Sequence, residues 1–282
     1  MSFEALENAG RRKTKQLLIS GVYVLILLVI IFGIYERLKP GPSCTDGLKN
    51  QDEAGVDCGG ICPNKCAVVA SSQLAVTETG FVESGLESDY DVYGVVANPN
   101  QTLGSNTFSY QFTVKDASGA VIGTKNGASF ILPGDTKYVI EPNLALTGTP
   151  TKVELTISDP QWIEANEYYQ APQLNVVNKN YDQITGGVGF AEATGLLKNE
   201  SPLDFSSIKL DIILKDAQGQ VVALNSTVMN TVQAGENRDF RVTWPNRFTG
   251  EVANMWVQAQ ANIFAQDAFV KKNFNQAQFQ QR

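Results

Sequence analysis

Cys44, Cys58, Cys62 and Cys66 are the only cysteines in this 282-residue chain, and all fall within "CTDGLKNQDEAGVDCGGICPNKC". A four-cysteine zinc or iron–sulfur site wants paired short loops such as C-x-x-C, whereas the intervals here are 13, 3 and 3 residues. A thioredoxin-type redox centre also needs C-x-x-C. Two disulfides need only an oxidising compartment, and they suit a short segment with almost no apolar residues to bury. Three pairings are open to four cysteines, and spacing does not choose among them. The same stretch carries Asp46, Asn50, Asp52, Glu53 and Asp57, with Gly47 and Gly55 between them. These five are the candidate calcium ligands, because hard cations gather oxygens in loops able to curl around them. Their spacing is not that of an EF-hand, and the competing reading is an acidic, solvated, turn-rich loop.

Elsewhere the chain offers little chemistry. It contains no histidine, which removes the commonest general base, the Ser-His and Cys-His nucleophile systems and most zinc catalysis. The Gly-rich "ITGGVGF" at 184–190 lacks the lysine and following helix of a phosphate loop. No catalytic and no cofactor-binding residues are expected, and calcium is the one cofactor in view. Asn100-Gln-Thr102, Asn199-Glu-Ser201 and Asn225-Ser-Thr227 fit the N-glycosylation pattern, which is short enough to recur by chance. Trp162, Trp244 and Trp256 could form a sugar platform, but their place beside alternating strands points to packing.

The element that positions the cysteine segment comes before it. Residues 17–35, "LLISGVYVLILLVIIFGIY", carry no charge. As a helix they span about 28 Å, close to the hydrocarbon thickness of a bilayer. Arg11, Arg12, Lys13 and Lys15 precede the run, so the positive-inside bias puts residues 1–16 in the cytoplasm and everything after the span outside. A cleaved signal peptide would have a shorter apolar region and a small-x-small site, and "ERLKPGPSC" supplies none. The expectation is an uncleaved membrane anchor over 17–36, with Lys39–Ser43 as a stiff exit. The remainder of the chain, from residue 16 on, holds 18 basic and 27 acidic residues, a balance that disfavours nucleic acid as a partner.

Beyond the cysteines the chain repeats itself at an offset of 100 or 101 residues. "LAVTETGF" (74–81) parallels "LNVVNKNY" (174–181), "GVVANPN" (94–100) parallels "GLLKNES" (195–201), and "FTVKDASGAVIG" (112–123) parallels "IILKDAQGQVVA" (212–223). Phe108, Tyr110, Phe112 and Val114 alternate with polar residues, as do Ile208, Leu210, Ile212 and Leu214, which marks strands with one buried face. Asp116-Ala-Ser-Gly119 and Asp216-Ala-Gln-Gly219 then read as hairpin turns. About seven short strands per hundred residues argue for a sandwich of two antiparallel sheets. The predicted organisation is a cytoplasmic N-terminus (1–16), a transmembrane helix (17–36), a cysteine-rich module (40–66), β-sandwich repeats at 67–165 and 172–264, and a C-terminal tail (265–282). Phe269, Phe274 and Phe279 leave a docking role open for that tail.

Two resemblances add to this reading. The module, through Cys44, Asp46, Gly47, Asn50, Glu53, Asp57, Cys58, Gly59, Gly60, Cys62 and Cys66, resembles a C-x-DG-x-x-N-x-x-E-x-x-x-DCGG-x-C-x-x-x-C segment of predicted bacterial cell-surface proteins. That resemblance implies an extracytoplasmic location and a spacer or cap role. The repeats are similar to FxLYD-type immunoglobulin-like domains of bacterial and archaeal envelope proteins, with Phe112–Asp116 and Ile212–Asp216 at the eponymous position. Both lack the family's aromatic before the Asp. This resemblance implies an all-β fold without catalysis. The expected function is a non-enzymatic, membrane-anchored scaffold or adhesive component of the cell envelope, with the bilayer and other envelope proteins as partners. The alternative is a ligand-binding or sensing ectodomain.

Overall fold

A run that is apolar on every side has no polar face to show to water, so it suits either a deep core or a bilayer. In the computed structural model this run is a long helix, α1 (Phe3–Leu38), whose most apolar window is Leu18–Arg37 at a mean hydropathy of 2.7. None of that window is buried. The helix also takes in residues 3–16, for which the sequence pattern predicts no element. The structure describes residues 3–38, 44–50, 52–53, 55–66, 70, 72–165 and 171–265, with the α1 side chains described over 18–37. The expected exit at 39–43 and the tail beyond residue 265 lie outside the described residues. The chain divides into two units, Met1–Ala67 and Val68–Arg282.

The second unit is β throughout its described elements. Strands β1 (Ala75–Glu83), β2 (Asp89–Ala97) and β5 (Thr136–Ala145) form one antiparallel sheet in the order β1-β2-β5. Strands β3 (Leu103–Lys115), β4 (Val121–Ile131) and β6 (Lys152–Glu164) form another in the order β4-β3-β6. The remaining strands, β7 (Leu174–Gln183), β8 (Ala191–Asn199), β9 (Phe205–Lys215), β10 (Val221–Val232), β11 (Asn237–Trp244) and β12 (Asn254–Gln260), repeat that plan. They form sheets β11-β8-β7 and β10-β9-β12. Even the register repeats. Phe112 stands opposite Lys125 and Leu155, and its counterpart Ile212 stands opposite Asn225 and Val257.

Alternation decides what is buried. Phe108, Phe112 and Val114 on β3, together with Tyr110, meet Val92, Val96 and Val139 from the facing sheet, and the aliphatic members are sealed from solvent. Ile208, Leu210, Ile212 and Leu214 play the same part in the second half, against Leu197, Phe240 and Val242. The two hairpin turns are also alike. The Asp116 Oδ1 accepts from the N–H groups of Ser118 and Ala120, and the Asp216 Oδ1 from those of Gln218 and Gln220. Gly119 and Gly219 sit at φ 84° and 81°, where a Cβ would be strained.

The halves are not beads on a string. Asp211 and Ile213, on the face of β9 that alternation assigns to solvent, are both fully buried. Ile213 and Leu224 pack on Val82, Tyr93 and Ile140 of the first half. Burying two such side chains stabilises the contact by roughly 1.5–3 kcal/mol each. The Gln258 amide accepts from the Tyr138 N–H and donates to the Thr136 carbonyl, covering the open edge of β5. Asn262 donates to the Asn106 carbonyl, and the Phe264 ring lies against the backbone of Gly104.

Candidate functional site

Four cysteines in a segment without a core must be held by something other than apolar burial. The bridges are Cys44–Cys62 and Cys58–Cys66, so they interleave along the chain, and no cysteine is free. The loops they close span 18 and 8 residues. Within this frame the backbone folds so tightly that side chains have little room. A Cβ on Gly60, at φ 59°, would lie 1.7 Å from the Asp52 carbonyl oxygen. A Cβ on Gly55 would lie 2.9 Å from both the Cys58 and the Cys66 Sγ.

Such tight turns leave backbone N–H groups without carbonyl partners, and the acidic side chains receive them. The Asp57 carboxylate accepts from the N–H of Asp46 at 2.9 Å and from that of Gly47 at 2.9 and 3.2 Å. The Asp46 Oδ1 accepts from the Leu48 N–H, while its Oδ2 accepts from the Asn50 side-chain amide at 2.8 Å. Glu53 is buried, and its Oε2 accepts from the N–H groups of Asn50 and Asp57. The Glu53 Oε1 lies 3.1 Å from the Cys62 Sγ. A bridged sulfur carries no proton, so this is a packed contact between a carboxylate oxygen and a disulfide. Asp52 is exposed.

The structure therefore brings Asp46, Asn50, Glu53 and Asp57 together, with the three carboxylates taken up by N–H donors, the Asn50 amide among them. Among the described residues, the one group of three ligand-type side chains with ligand atoms within 4.8 Å is Cys44, Glu53 and Cys62, whose two sulfurs are bonded to each other. The arrangement can neutralise strained turns and shield a disulfide with negative charge. The signal for this role was present in the sequence as Asp46-Gly47 and the glycines near Asp57, which mark turns whose N–H groups need acceptors.

Other residues singled out in the sequence fall in varied places. Trp244 is core, its Nε1–H donating to the Leu224 carbonyl. Trp162 is half-buried, and Trp256 is exposed on β12. Asn100 and Asn199 are buried and hydrogen-bonded, which excludes them as glycan carriers in the folded protein. Their actual work, and that of Asn98, went unseen in the sequence. The Asn98 side chain donates to the carbonyls of Leu103 and Leu132 and accepts from the Asn100 N–H. Asn199 does the same with Leu203, Gln233 and the Ser201 N–H. Each asparagine ties the crossover between sheets at the matching point of its half.

A second feature missed in the sequence is charge buried between the halves. Lys137, on the same side of β5 as Val139, lies 3.8 Å over the Phe130 ring and is almost fully buried. Burial pushes its ammonium down to about 7, Asp211 and Asp135 pulling it back up and Lys209 adding to the fall. Burial pushes the Asp211 carboxyl up, even though the Lys209 Nζ lies 2.8 Å away. A cleft of about 270 Å³ also opens between the halves, lined by Phe81, Tyr90, Pro150, Val221, Val222 and Thr249 among others. Within its lining the Thr249 hydroxyl donates to the Glu83 carboxylate at 2.8 Å.

No protein-family model matches the chain, and a search of curated proteins gives no match.

Proposed function

We propose that this is a non-enzymatic, single-pass membrane protein that presents its β unit outside the cell membrane as a scaffold or adhesive element of the envelope. The observation that carries the reading is the exposed apolar helix followed at once by two disulfides. The helix suits a bilayer, and the bridges suit an oxidising compartment beyond it. The basic residues before the helix support a cytoplasmic N-terminus. We read the paired sheets as two immunoglobulin-like β-sandwiches of the FxLYD type. The shared strand order, the shared register and the alternating inward faces support this. The module is read as a collar of the bacterial cell-surface kind, whose acidic residues serve its own turns. Calcium stays a secondary proposal for Asp46, Asn50, Asp52, Glu53 and Asp57, since the carboxylates of Asp46, Glu53 and Asp57 already accept N–H groups. Burial of one half on the other favours a rigid stalk over a flexible arm, and a rigid stalk suits a surface held away from the bilayer.

Two fractions test the reading. In alkaline-washed membranes the chain should remain, with its N-terminus intact. Protease added to intact cells should remove everything beyond the helix. Release of the chain by the wash, or a mature N-terminus beyond residue 37, would replace the anchor with a cleaved signal sequence. Crosslinking before detergent extraction should capture another envelope protein, and a chain that is always recovered alone would count against the scaffold role.

A further inference from the structure

The two bridges of the module do not face equal surroundings. Cys62 is buried, and its Sγ lies 3.1 Å from the Glu53 Oε1. Glu53 is itself buried and fixed by the N–H groups of Asn50 and Asp57. Cys58 and Cys66 are both half-buried. Beside them stands Gly55, packed so close that an added Cβ would lie 2.9 Å from either sulfur, so that flank of the bridge meets neutral backbone rather than a carboxylate. Asp57 precedes Cys58, but its carboxylate is turned to the N–H groups of Asp46 and Gly47.

Thiol–disulfide exchange passes through negative charge on sulfur. An attacking thiolate bonds to one sulfur, the S–S bond breaks, and the electron pair leaves with the other sulfur as a thiolate. At Cys44–Cys62 both routes are penalised. Attack on Cys44 expels a Cys62 thiolate, buried beside the Glu53 carboxylate. Attack on Cys62 brings an anion to the same carboxylate. At Cys58–Cys66 neither penalty applies.

We propose that the module is a thiol-exchange site with two unequal bridges: Cys58–Cys66 reacts with a low-molecular-weight thiol, and Cys44–Cys62, guarded by Glu53, holds the fold. The product of the first step is a mixed disulfide on Cys58 or Cys66. The partner cysteine is released as a thiolate that takes a proton from water. One thiol is consumed and one formed, so no further oxidant is needed. A second thiol, or the released cysteine attacking back, resolves the adduct. The 8-residue loop keeps that cysteine close, so re-closure is fast. This order is a property of the module and does not depend on which side of a membrane it faces.

The test uses the full oxidised chain in detergent, treated with graded reduced glutathione, quenched with acid, alkylated and mapped by peptide mass. Glutathione adducts and alkylation should appear at Cys58 and Cys66 first, with Cys44–Cys62 opening at least about tenfold more slowly, the factor expected for one nearby charge in a partly screened site. Opening of Cys44–Cys62 first, or of both bridges at one rate, overturns the proposal. Glu53→Gln keeps an acceptor oxygen for the two N–H groups. It should speed opening of Cys44–Cys62 by about tenfold and leave Cys58–Cys66 unchanged. An unchanged Cys44–Cys62 rate in a variant that forms both bridges refutes the guard. If the variant does not form both bridges, the order of opening in the native chain decides alone.

Discussion

The cysteine module and the β unit hold together by opposite means. The β unit has sealed cores in which Phe108, Phe112 and Val114 on one side, and Ile208, Leu210 and Ile212 on the other, exclude water completely. Its acidic residues lie mostly at turns and edges. Among the described residues of the module only Cys62 is a buried apolar one. There the backbone is held by two covalent bonds and by carboxylates that accept N–H groups. A segment that cannot bury apolar area replaces the hydrophobic effect with crosslinks, which act on the unfolded state, and with carboxylates that accept N–H groups of its turns. One consequence is that the two regions should fail independently.

The sharpest way to break this contrast is to damage each region and watch the other. Phe112→Ala should cost the β unit about 3–5 kcal/mol, since it removes a fully buried ring from a packed core. All three tryptophans lie in this unit, so their fluorescence in denaturant follows its unfolding, and the order of thiol release from the module should not move. Removing the longer bridge by Cys44→Ala with Cys62→Ala should cost the module about 3 kcal/mol, from the entropy of an 18-residue loop. The tryptophan transition should then stay where it was. A shift of that transition by the bridge variant would show that the two regions share one cooperative unit.

The β unit has its own exception, the charge buried between its halves, and pH sharpens it. Lys137 titrates near 7 in the folded chain and near 10.5 when unfolded. Between these values the unfolded chain holds a proton that the folded chain has shed, so stability rises with pH, by up to about 1.4 kcal/mol per pH unit. Below pH 7 both states are protonated and this contribution is flat. Asp211, raised by burial, acts in the acid range instead, where stability falls as pH rises through its window. Tyr93 and Tyr110 are pushed up by burial and by their hydrogen bonds to Glu78 and Glu141, and act above about pH 10, again lowering stability as pH rises. Denaturant midpoints of the tryptophan signal between pH 7 and 9 should therefore climb in the native chain and stay level in Lys137→Met. Equal slopes would mean that Lys137 does not titrate there.

Smaller effects should come from the crossovers. Asn199→Ala leaves the Leu203 and Gln233 carbonyls and the Ser201 N–H without their partner in a buried site. It should cost about 2 kcal/mol by denaturant midpoint. Asn98→Ala should cost the same, because its three bonds match. A large difference between them would mean that the halves differ in stability despite their common plan.

How much of this was legible depended on which face of an element the residues report. Alternation along β3 and β9 marks the inward side, so the strands and their cores could be read. It says nothing about the outward side. Ile213 was therefore unreadable as an interface residue, because it packs on Val82, Tyr93 and Ile140, all more than 60 residues away, and Asp211 as a buried one, because its carboxylate meets Gln260 on a later strand. The apolar helix was visible because no face of it is polar, and the turns because Asp and Gly have few other uses there. Disulfide pairing was not readable, since four cysteines within one flexible segment can meet in any pairing until the turns are set. Reading Asp46, Glu53 and Asp57 as cation ligands followed from their oxygens alone. Which donor those oxygens meet depends on the path of the backbone, and the turns around Gly47 and Gly60 decide it.

The smallest predicted effect returns to glycine, where the two regions differ again. Gly219 and Gly60 both sit at positive φ. Around Gly219 a Cβ would meet nothing within 4 Å, so Gly219→Ala carries only the strain of a left-handed backbone, about 1 kcal/mol, and Gly119→Ala should match it. The two substitutions lie in turns of separate halves and should add. At Gly60 the same methyl meets a carbonyl oxygen that has no flexible side chain to give way. Gly60→Ala should therefore disturb the module itself, seen as loss of the preferred order in which its bridges open, with no change in the tryptophan transition. If Gly60→Ala were as mild as Gly219→Ala in both measurements, the module would be far looser than its backbone contacts imply. The contrast between a segment fixed by bonds and turns and one fixed by its core would then lose its main support.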